Sequence, residues 1–374
     1  MITILPLLVL LAASGGSAET HHFERLCAQV AADYDSARGG FVTKDGAPIE
    51  SAVELGFALG GERGDPLWLA RAHRTAEWMH VLYDSAGGGF FLRLRDADPS
   101  YASFEKPTRA NARRLENLID AWQHGGSDAD RRAAARVADY MDRVLLDARG
   151  GFVAGQVGDR QLVPEANGYA IRAWLRWAGA NGDPRLREFA WKSLDRVWQE
   201  CWVEGLGLMR LDMFGRREGS PLLEDQCEMG RAFILAAHFG GREADLARAR
   251  VLGNLVVERF EEPEKGGFAQ YSRPRGDEGK AKRGGRKFDE NARAVRFLAE
   301  LASVTGKNEF RDAARRAIQV FERDLGRARE DAADWALALR ALEASDLPSR
   351  PKWSEPPKAA PESPRVFRIR GRRR

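Results

Sequence analysis

Four short segments of the chain combine a charged residue with a side-chain amide in the same order, and in three of them the charged residue is a carboxylate. An amide stands third in each segment: Arg109-Ala110-Asn111, Glu165-Ala166-Asn167, Glu224-Asp225-Gln226 and Asp289-Glu290-Asn291. Carboxylates and amides hydrogen-bond to sugar hydroxyls, but the same residue types also cap helices and complement the helix dipole. The segments therefore indicate either a polar binding site or four helix N-termini, and both interpretations stay open.

Acid–base chemistry on a sugar would require two carboxyl groups that face each other. Glycoside cleavage uses such a pair, about 5 Å apart for retention of configuration and about 6.5 to 9.5 Å apart for inversion. Four carboxylates at the same level of the chain's repeats are the catalytic candidates, and no pair among them stands out: Asp225, Glu228, Asp289 and Asp334. The candidate substrate-binding residues are Arg109, Asn111, Glu165, Asn167, Tyr169, Gln226, Glu290, Asn291 and Trp335, with Phe57 as a further stacking surface.

Metal, nucleotide and serine-hydrolase chemistry lack their usual motifs in this sequence. The six histidines form no HExxH or paired-ligand pattern, and the chain has no GxGxxG, GxxxxGK[ST] or GxSxG segment. Neither a metal nor a cofactor is therefore predicted. The three cysteines include no CxxC pair, which argues against redox chemistry. Cys201 and Cys227 flank one loop, and either a bridge or two buried thiols would fit.

A helical repeat positions these residues. The tripeptide Gly-Gly-Phe recurs at 39–41, 88–90, 150–152 and 266–268, and Gly205-Leu206-Gly207-Leu208 stands where a fifth is due. Apolar residues at helical spacing predict an inner helix after each turn, at 49–60, 107–123, 164–180, 222–239 and 287–305. A short turn then joins each inner helix to an outer helix, at 66–82, 128–146, 184–200, 243–260 and 308–325.

Two helices remain at the ends of the chain and decide how the repeats assemble. Residues 21–34 precede the first turn as an outer helix does, and residues 330–344 follow the last outer helix as an inner helix does. If they pair, six hairpins close into an all-α (α/α)6 toroid; the alternative is an open solenoid. In a toroid all long loops lie on one face with the N-termini of the inner helices, so the predicted cavity with its polar rim opens there.

The two ends of the chain differ in composition from its body. The apolar run ITILPLLVLLAA, followed by Gly16-Ser17-Ala18, predicts a signal peptide at 1–18 and an exported, periplasmic or extracellular protein. Residues 348–374 hold nine Lys/Arg and two Glu, a net +7 that leaves −3 of the total +4 to the rest. We expect a toroid domain at 19–345 and a disordered, Pro-rich basic tail at 346–374. The tail either touches an anionic surface or is merely solvated, and no nucleic-acid partner is expected.

The run KFDENARAVRFLAELASVTGKNEFRDAA, with its echoes KPTRANARRLENLIDAW and PEANGYAIRAWLRWAGANGDP, carries a family resemblance. It resembles the helical C-terminal region of the YyaL-type, spermatogenesis-associated, thioredoxin-domain-containing proteins, over about residues 34–344. The resemblance implies the six-hairpin glycosidase-like toroid fold, which also includes sugar 2-epimerases and unsaturated glucuronyl hydrolases. This chain carries the predicted signal peptide where the family has a thioredoxin-like domain, and no inner-helix N-terminus carries a histidine like those of the epimerases.

Two classes of function follow from these observations. The first is a protein that binds, and as an enzyme processes, a carbohydrate or other small polar ligand in the cavity on the long-loop face, as a glycoside hydrolase, sugar isomerase or lyase. The second is a non-catalytic scaffold that docks a partner protein, such as a separately encoded thioredoxin-like protein. Single substitutions of Asp225, Asp289 and Asp334 with measured glycan binding, and a pull-down from envelope extract, separate the two.

Overall fold

A computed structural model describes residues 18–95, 98–156, 160–262, 264–272, 284–343 and 347 of the 374-residue chain. Nearly all of the signal peptide and all of the tail except Leu347 lie outside the described residues, so both stay predictions. Within the described ranges, no helix is long and apolar enough to cross a membrane.

The described residues form twelve α-helices, which lie in an inner and an outer ring. The inner helices are α2 (Glu50–Arg63), α4 (Thr108–Gln123), α6 (Pro164–Asn181), α8 (Leu223–Gly240), α10 (Phe288–Thr305) and α12 (Ala332–Glu343). The outer helices are α1 (Ala18–Ala32), α3 (Pro66–Trp78), α5 (Asp128–Tyr140), α7 (Pro184–Cys201), α9 (Glu243–Leu255) and α11 (Asn308–Phe321). Each lies within a few residues of its predicted position, which confirms the hairpin repeat.

The ring closes through the two ends of the chain. Helix α12 packs against α2 and α10, and α1 packs against α12. The hydroxyl of Thr20 donates to Glu343 at 3.0 Å, and Gln29 Nε2 donates to the carbonyl of Leu325 at 2.8 Å. These contacts confirm the (α/α)6 toroid, because an open solenoid would leave α2 and α12 apart.

The short turns have the cap chemistry expected of a sharp reversal. Gly64 and Gly182 both have φ of 63°, the left-handed conformation that ends a helix at little cost only for glycine. Asp65 then accepts hydrogen bonds from the backbone of the next helix, and Asp183 does the same. Pro66 and Pro184 follow at the first helical position, where the missing N–H is not needed. The long loops therefore lie at the other end of every hairpin.

Short β-structure marks the long-loop end. The Gly-Gly-Phe turns form single bridges, such as those between Tyr83 and Phe90 and between Leu146 and Phe152. Three antiparallel pairs lie in the loops: β1 (Leu94–Arg95) with β2 (Asp98–Ala102), β3 (Trp202–Val203) with β4 (Gly207–Leu208), and β5 (Arg210–Leu211) with β6 (Arg217–Glu218). The turn phenylalanines are almost fully buried, so each anchors its loop to the helices: Phe41, Phe90, Phe152 and Phe268.

Candidate active site

The amides of the four polar segments hold the turns in place. In the third repeat, Asn167 Oδ1 accepts from the backbone N–H of Phe152 at 2.8 Å, while Nδ2 donates to the carbonyls of Phe152 at 2.9 Å and Val163 at 3.0 Å. The same three contacts recur in three other repeats, at Asn111, Gln226 and Asn291. All four side chains are fully buried, which argues against the predicted contact with a substrate and gives the amides a structural role.

The aromatic residues predicted to stack on a sugar are covered by protein side chains. Trp335 is fully buried, and its ring centre lies 5.1 Å from that of Phe288. Tyr169 is 3% exposed, its hydroxyl donates to Glu228 Oε1 at 3.1 Å, and the guanidinium of Arg172 lies 4.8 Å from its ring centre. In this structure neither ring offers a free face to a ligand.

The first turns of the six inner helices surround a polar opening on the long-loop face, here called the long-loop mouth. Every inner helix contributes to it, through Glu50, Ser51, Arg109, Arg113, Glu165, Glu224, Asp289, Arg293 and Asp334. The Arg109 and Asp289 side chains are 37% and 36% exposed, so the mouth is open to solvent. The mouth carries both guanidinium and carboxylate groups, which suits a ligand that both donates and accepts hydrogen bonds.

Glu165 is a mouth carboxyl with a strongly shifted pKa. Its side chain is 7% exposed, and Oε1 lies 3.0 Å from Nη1 of Arg109. Burial raises the pKa of Glu165 to about 7, against the lowering effect of Arg109, and the charges of Glu224 and Asp225 raise it further. Near neutral pH this carboxyl can both donate and accept a proton, which is what general acid–base catalysis requires.

Two of the four catalytic candidates reach the mouth. The Asp289 carboxylate accepts from Arg293 Nη2 at 2.8 Å. Asp334 accepts from the Ser51 hydroxyl at 3.1 Å and lies 3.8 Å from the guanidinium of Arg113, with 21% of its side chain exposed. Both carboxylates are held in place and remain accessible to a ligand.

The other two candidates, Asp225 and Glu228, lie behind the mouth and are fully buried. Burial raises the pKa of Asp225 to about 6, although Arg210 Nε, 2.9 Å away, lowers it. Burial would likewise raise the pKa of Glu228, but the guanidiniums of Arg172 and Arg231 lower it to about 2. These carboxylates shape the charge beneath the mouth, and their predicted contact with a substrate stays untested.

Glu290, another predicted binding residue, is also largely buried. Its carboxylate accepts from Lys287 Nζ at 2.9 Å and from Gln270 Nε2 at 3.3 Å. Asp331, next to the mouth residue Asp334, has a pKa that burial and the charge of Asp334 raise to about 6. Burial also raises the pKa of Glu290, against the lowering effect of Lys287. The long-loop end of the toroid therefore carries three further carboxyl groups with raised pKa values, Asp225, Glu290 and Asp331.

Sequence reasoning missed the arginines that fill the axis. Arg172, Arg231 and Arg296 each stand five residues after the amide of their helix and are more than 90% buried. Each pairs with a carboxylate on another inner helix, and the pair of Arg296 with Glu54 spans from α10 to α2, past α12. A signal was present, since an arginine at the same place in three helices with buried, mostly apolar neighbours breaks the expected pattern.

The cavity outlined by the described residues opens at the opposite end from the one predicted. It has a volume of about 780 Å³ and is lined by the C-terminal halves of the inner helices, on the short-turn face. The prediction placed the cavity among the long loops because helix N-termini meet there. The side chains explain the difference, because buried ion pairs occupy the space beneath the mouth while the short-turn end of the toroid stays hollow.

The described part of the chain holds no cluster of three His, Cys, Asp or Glu residues arranged to bind a metal. All three cysteines are buried and free, so Cys201 and Cys227 form no bridge.

Comparison with known proteins finds likeness in structure only. No family model and no curated protein matches the sequence. A D-mannose isomerase structure has a TM-score of 0.73 at 12% identity, over 89% of this chain and 98% of that one. Cellobiose 2-epimerase from Spirochaeta thermophila has a TM-score of 0.67 at 15% identity, over 87% of this chain and 97% of that one. The GH76 α-mannanase of Bacteroides thetaiotaomicron has a TM-score of 0.66 at 10% identity, over 88% of this chain and 96% of that one.

This chain has the fold of the six-hairpin glycosidase-like toroids. The similar structures, which are those of epimerases, isomerases and glycoside hydrolases, span nearly their whole length on it. At identities this low, the likeness shows the architecture and leaves the activity to be argued from the side chains.

Proposed function

We propose that this protein is an exported sugar-processing toroid whose acid–base chemistry takes place at the long-loop mouth. The observation that carries the proposal is the placement of Glu165, with a pKa of about 7, among polar and charged side chains from all six inner helices, of which Arg109 and Asp289 are open to solvent. The resemblance to toroids that act on mannose, cellobiose and mannan supports a sugar as the ligand.

The mouth has the chemistry that a sugar requires. Neighbouring hydroxyls of a sugar each donate and accept, and planar guanidiniums and carboxylates satisfy them in pairs. Glu165 would move the proton, while Asp289 and Asp334 stay available as hydrogen-bond acceptors or as the second carboxylate. The same set serves glycoside cleavage and sugar isomerisation, since both begin with proton transfer at a sugar oxygen or carbon.

The test is a panel of neutral mono- and disaccharides, incubated with the full-length protein and followed by NMR for hydrolysis or isomerisation. Binding is measured in parallel by calorimetry. Glu165→Gln should abolish turnover and leave binding within a few fold, whereas Asp289→Asn and Asp334→Asn should weaken binding at least tenfold. Asp128→Asn, on an exposed outer helix, is the matched control. Unchanged binding in both mouth aspartate variants, or unchanged turnover in Glu165→Gln, would refute the proposal.

Export is part of the proposal and has its own test. The protein expressed with its N-terminus intact should be recovered outside the cytoplasm, and its mature N-terminus should lie near Glu19. Recovery of the uncleaved chain from the cytoplasm would contradict it.

The alternative, a scaffold that docks a thioredoxin-like or other envelope protein, has one observation in its favour. Phe104 and Phe214 lie in the long loops and are 78% and 74% exposed, so they could supply apolar contact to a partner. If Phe104→Ser and Phe214→Ser abolish capture of a discrete envelope protein while sugars show no binding, the scaffold replaces the enzyme as the proposed function.

A further inference from the structure

Buried ion pairs lie between the short-turn cavity and the long-loop mouth. The Tyr169 hydroxyl on α6 donates to Glu228 on the adjacent helix α8, and Arg172 and Arg231 contact Glu228 from the cavity side. Glu228 has no exposed surface and Tyr169 is 3% exposed. None of the residues named at the mouth lines the short-turn cavity, so the two openings need separate explanations.

The cavity wall is dense in charge and has no net charge. Five arginines and five aspartates or glutamates line it, in equal number. They are already paired: Arg231 donates to both carboxylate oxygens of Glu300 at 2.9 to 3.1 Å, and Arg176 bonds to Asp120. Since the two signs are equal in number and held together, the wall offers a free ion little overall attraction.

The paired groups still present hydrogen-bonding atoms to the cavity. Glu54 bonds to Arg296, yet one third of its side chain is exposed. His124 adds a hydrogen-bond acceptor. Its Nδ1 lies 3.0 Å from the backbone carbonyl of Asp120, which can only accept a hydrogen bond. In the neutral ring the proton is therefore on Nδ1, and Nε2 is an acceptor. Nε2 makes no hydrogen bond within the described part of the chain.

Apolar surface completes the wall. The half-buried imidazole of His124 covers the Phe57 ring, with centroids 5.6 Å apart, and Phe239, 8% exposed, lies on the opposite side with the more deeply buried Leu235. Gly61 leaves room for the imidazole, because a Cβ there would lie 2.9 Å from His124 Nε2. Fixed donors and acceptors beside aromatic surface, without net charge, match a molecule with many hydroxyls and an apolar ring face.

We propose that the short-turn cavity is a second ligand site, specific for a neutral polyhydroxylated molecule of mono- to disaccharide size. A volume of about 780 Å³ is in the usual range for a small-molecule site, which is about 300 to 1,000 Å³. This site shares a ligand class with the mouth but none of the mouth residues, so it stands or falls independently of the proposed reaction.

The experiment fills the cavity and measures binding to the full-length protein. Ala58 on α2 and Ala180 on α6 are half-buried residues of the cavity wall, so Ala58→Trp and Ala180→Trp insert a large ring from two different helices without breaking an ion pair. Ala247→Trp, exposed on an outer helix, is the matched control. Folding of each variant is checked by circular dichroism and thermal unfolding, and either filling variant alone suffices if the other does not fold.

The probes are mannose and cellobiose as neutral ligands and glucuronate as the anionic comparison, titrated by calorimetry. We expect one class of sugar sites to persist in Asp289→Asn and to weaken at least tenfold in Ala58→Trp and Ala180→Trp, while Ala247→Trp binds like the wild type. Glucuronate should bind at least tenfold more weakly than the neutral sugars. Unchanged neutral-sugar binding in the filling variants, or tighter binding of glucuronate, would overturn the proposal.

Discussion

The raised pKa of Glu165 predicts how the stability of the folded protein changes with pH, and this prediction tests the proposed acid–base chemistry. Burial raises the pKa of this carboxyl from 4.5 to about 7. A difference of about 2.5 pH units between folded and unfolded states corresponds to about 3 kcal/mol, at about 1.36 kcal/mol per unit. The side chain is only 7% exposed, so solvent screening reduces this figure little.

The direction in which stability changes with pH follows from proton binding. Because the folded-state pKa lies above the unfolded value, the folded protein holds this proton over a range in which the unfolded chain has lost it. The contribution of Glu165 to stability is therefore fully present below about pH 4.5 and is lost as the pH rises through 7. Asp225 and Asp331, with pKa values raised to about 6, contribute in the same direction. Only a comparison between variants isolates Glu165.

The perturbation is Glu165→Gln, which keeps the shape and cannot ionise. Denaturant unfolding at intervals from pH 4.5 to 8 should show the variant gaining about 3 kcal/mol relative to the wild type across that range. If Glu165 is also the proton donor, turnover by the wild type should fall along the same titration. Stability profiles that stay parallel within about 0.5 kcal/mol would refute the assigned environment of Glu165.

An opposite control comes from the neighbouring carboxylate. The guanidiniums around Glu228 outweigh its burial and lower its pKa from 4.5 to about 2, so its contribution is present above pH 4.5 and lost as the pH falls. Glu228→Gln leaves Arg172 and Arg231 without this partner and should be less stable overall. Its profile should differ in slope from the wild type mainly below about pH 4.5, where Glu165→Gln runs parallel to the wild type. Between pH 4.5 and 7 its slope should be slightly shallower, because the charge of Glu228 contributes to the raised pKa of Glu165.

Three further predictions concern the frame around the site. Asn167→Ala removes three hydrogen bonds to buried backbone and should lower the free energy of unfolding in denaturant by about 3 kcal/mol. The control Asn181→Ala, at an exposed residue, should lower it by less than about 1 kcal/mol. Equal losses would contradict the structural role of the Asn167 amide. Gly89→Ala places a Cβ 2.4 Å from the Tyr140 ring at φ of 75° and should lower stability by about 2 to 4 kcal/mol. Gly39→Ala, at nearly the same φ but with open space around it, should lower stability by only about 1 kcal/mol. A similar loss in both variants would mean that the backbone conformation alone, and not the contact with Tyr140, causes it. The three buried cysteines should react with a thiol reagent only in denaturant, and rapid labelling of the folded protein would exclude the described packing.

The helices and their closure could be predicted because they depend on local chemistry. The caps at Asp65 and Asp183 and the apolar stripe of α11 follow from spacing alone, and the pairing of residues 21–34 with 330–344 follows from counting. The role of the amides could not be decided in the same way. Asn167 can cap a helix, bind a ligand or hold a turn with the same atoms. The sequence does not show that the backbone of Phe152 lies within hydrogen-bonding distance of its side chain.

The position of the cavity required knowledge of contacts across the axis. The sequence places Arg172 on α6 and Glu228 on α8, but it does not show that their side chains meet beneath the mouth. Helix N-termini predicted an opening at the long-loop end, and that end is indeed polar. What the sequence could not supply was the depth of that opening, which depends on the reach of arginine side chains from neighbouring helices.

The buried ion pairs explain why one toroid has two unlike ends. A link runs from Glu116 on α4 through Arg172 to Glu228 on α8, and another from Glu300 on α10 through Arg296 to Glu54 on α2. Apolar side chains of similar volume would stabilise the axis about as well, but they would not distinguish one neighbouring helix from another. Paired charges do, because an arginine is satisfied only where a carboxylate lies within reach, as Glu228 does for both Arg172 and Arg231. By filling space beneath the mouth, these pairs leave a polar mouth at one end of the toroid and a hollow cavity without net charge at the other.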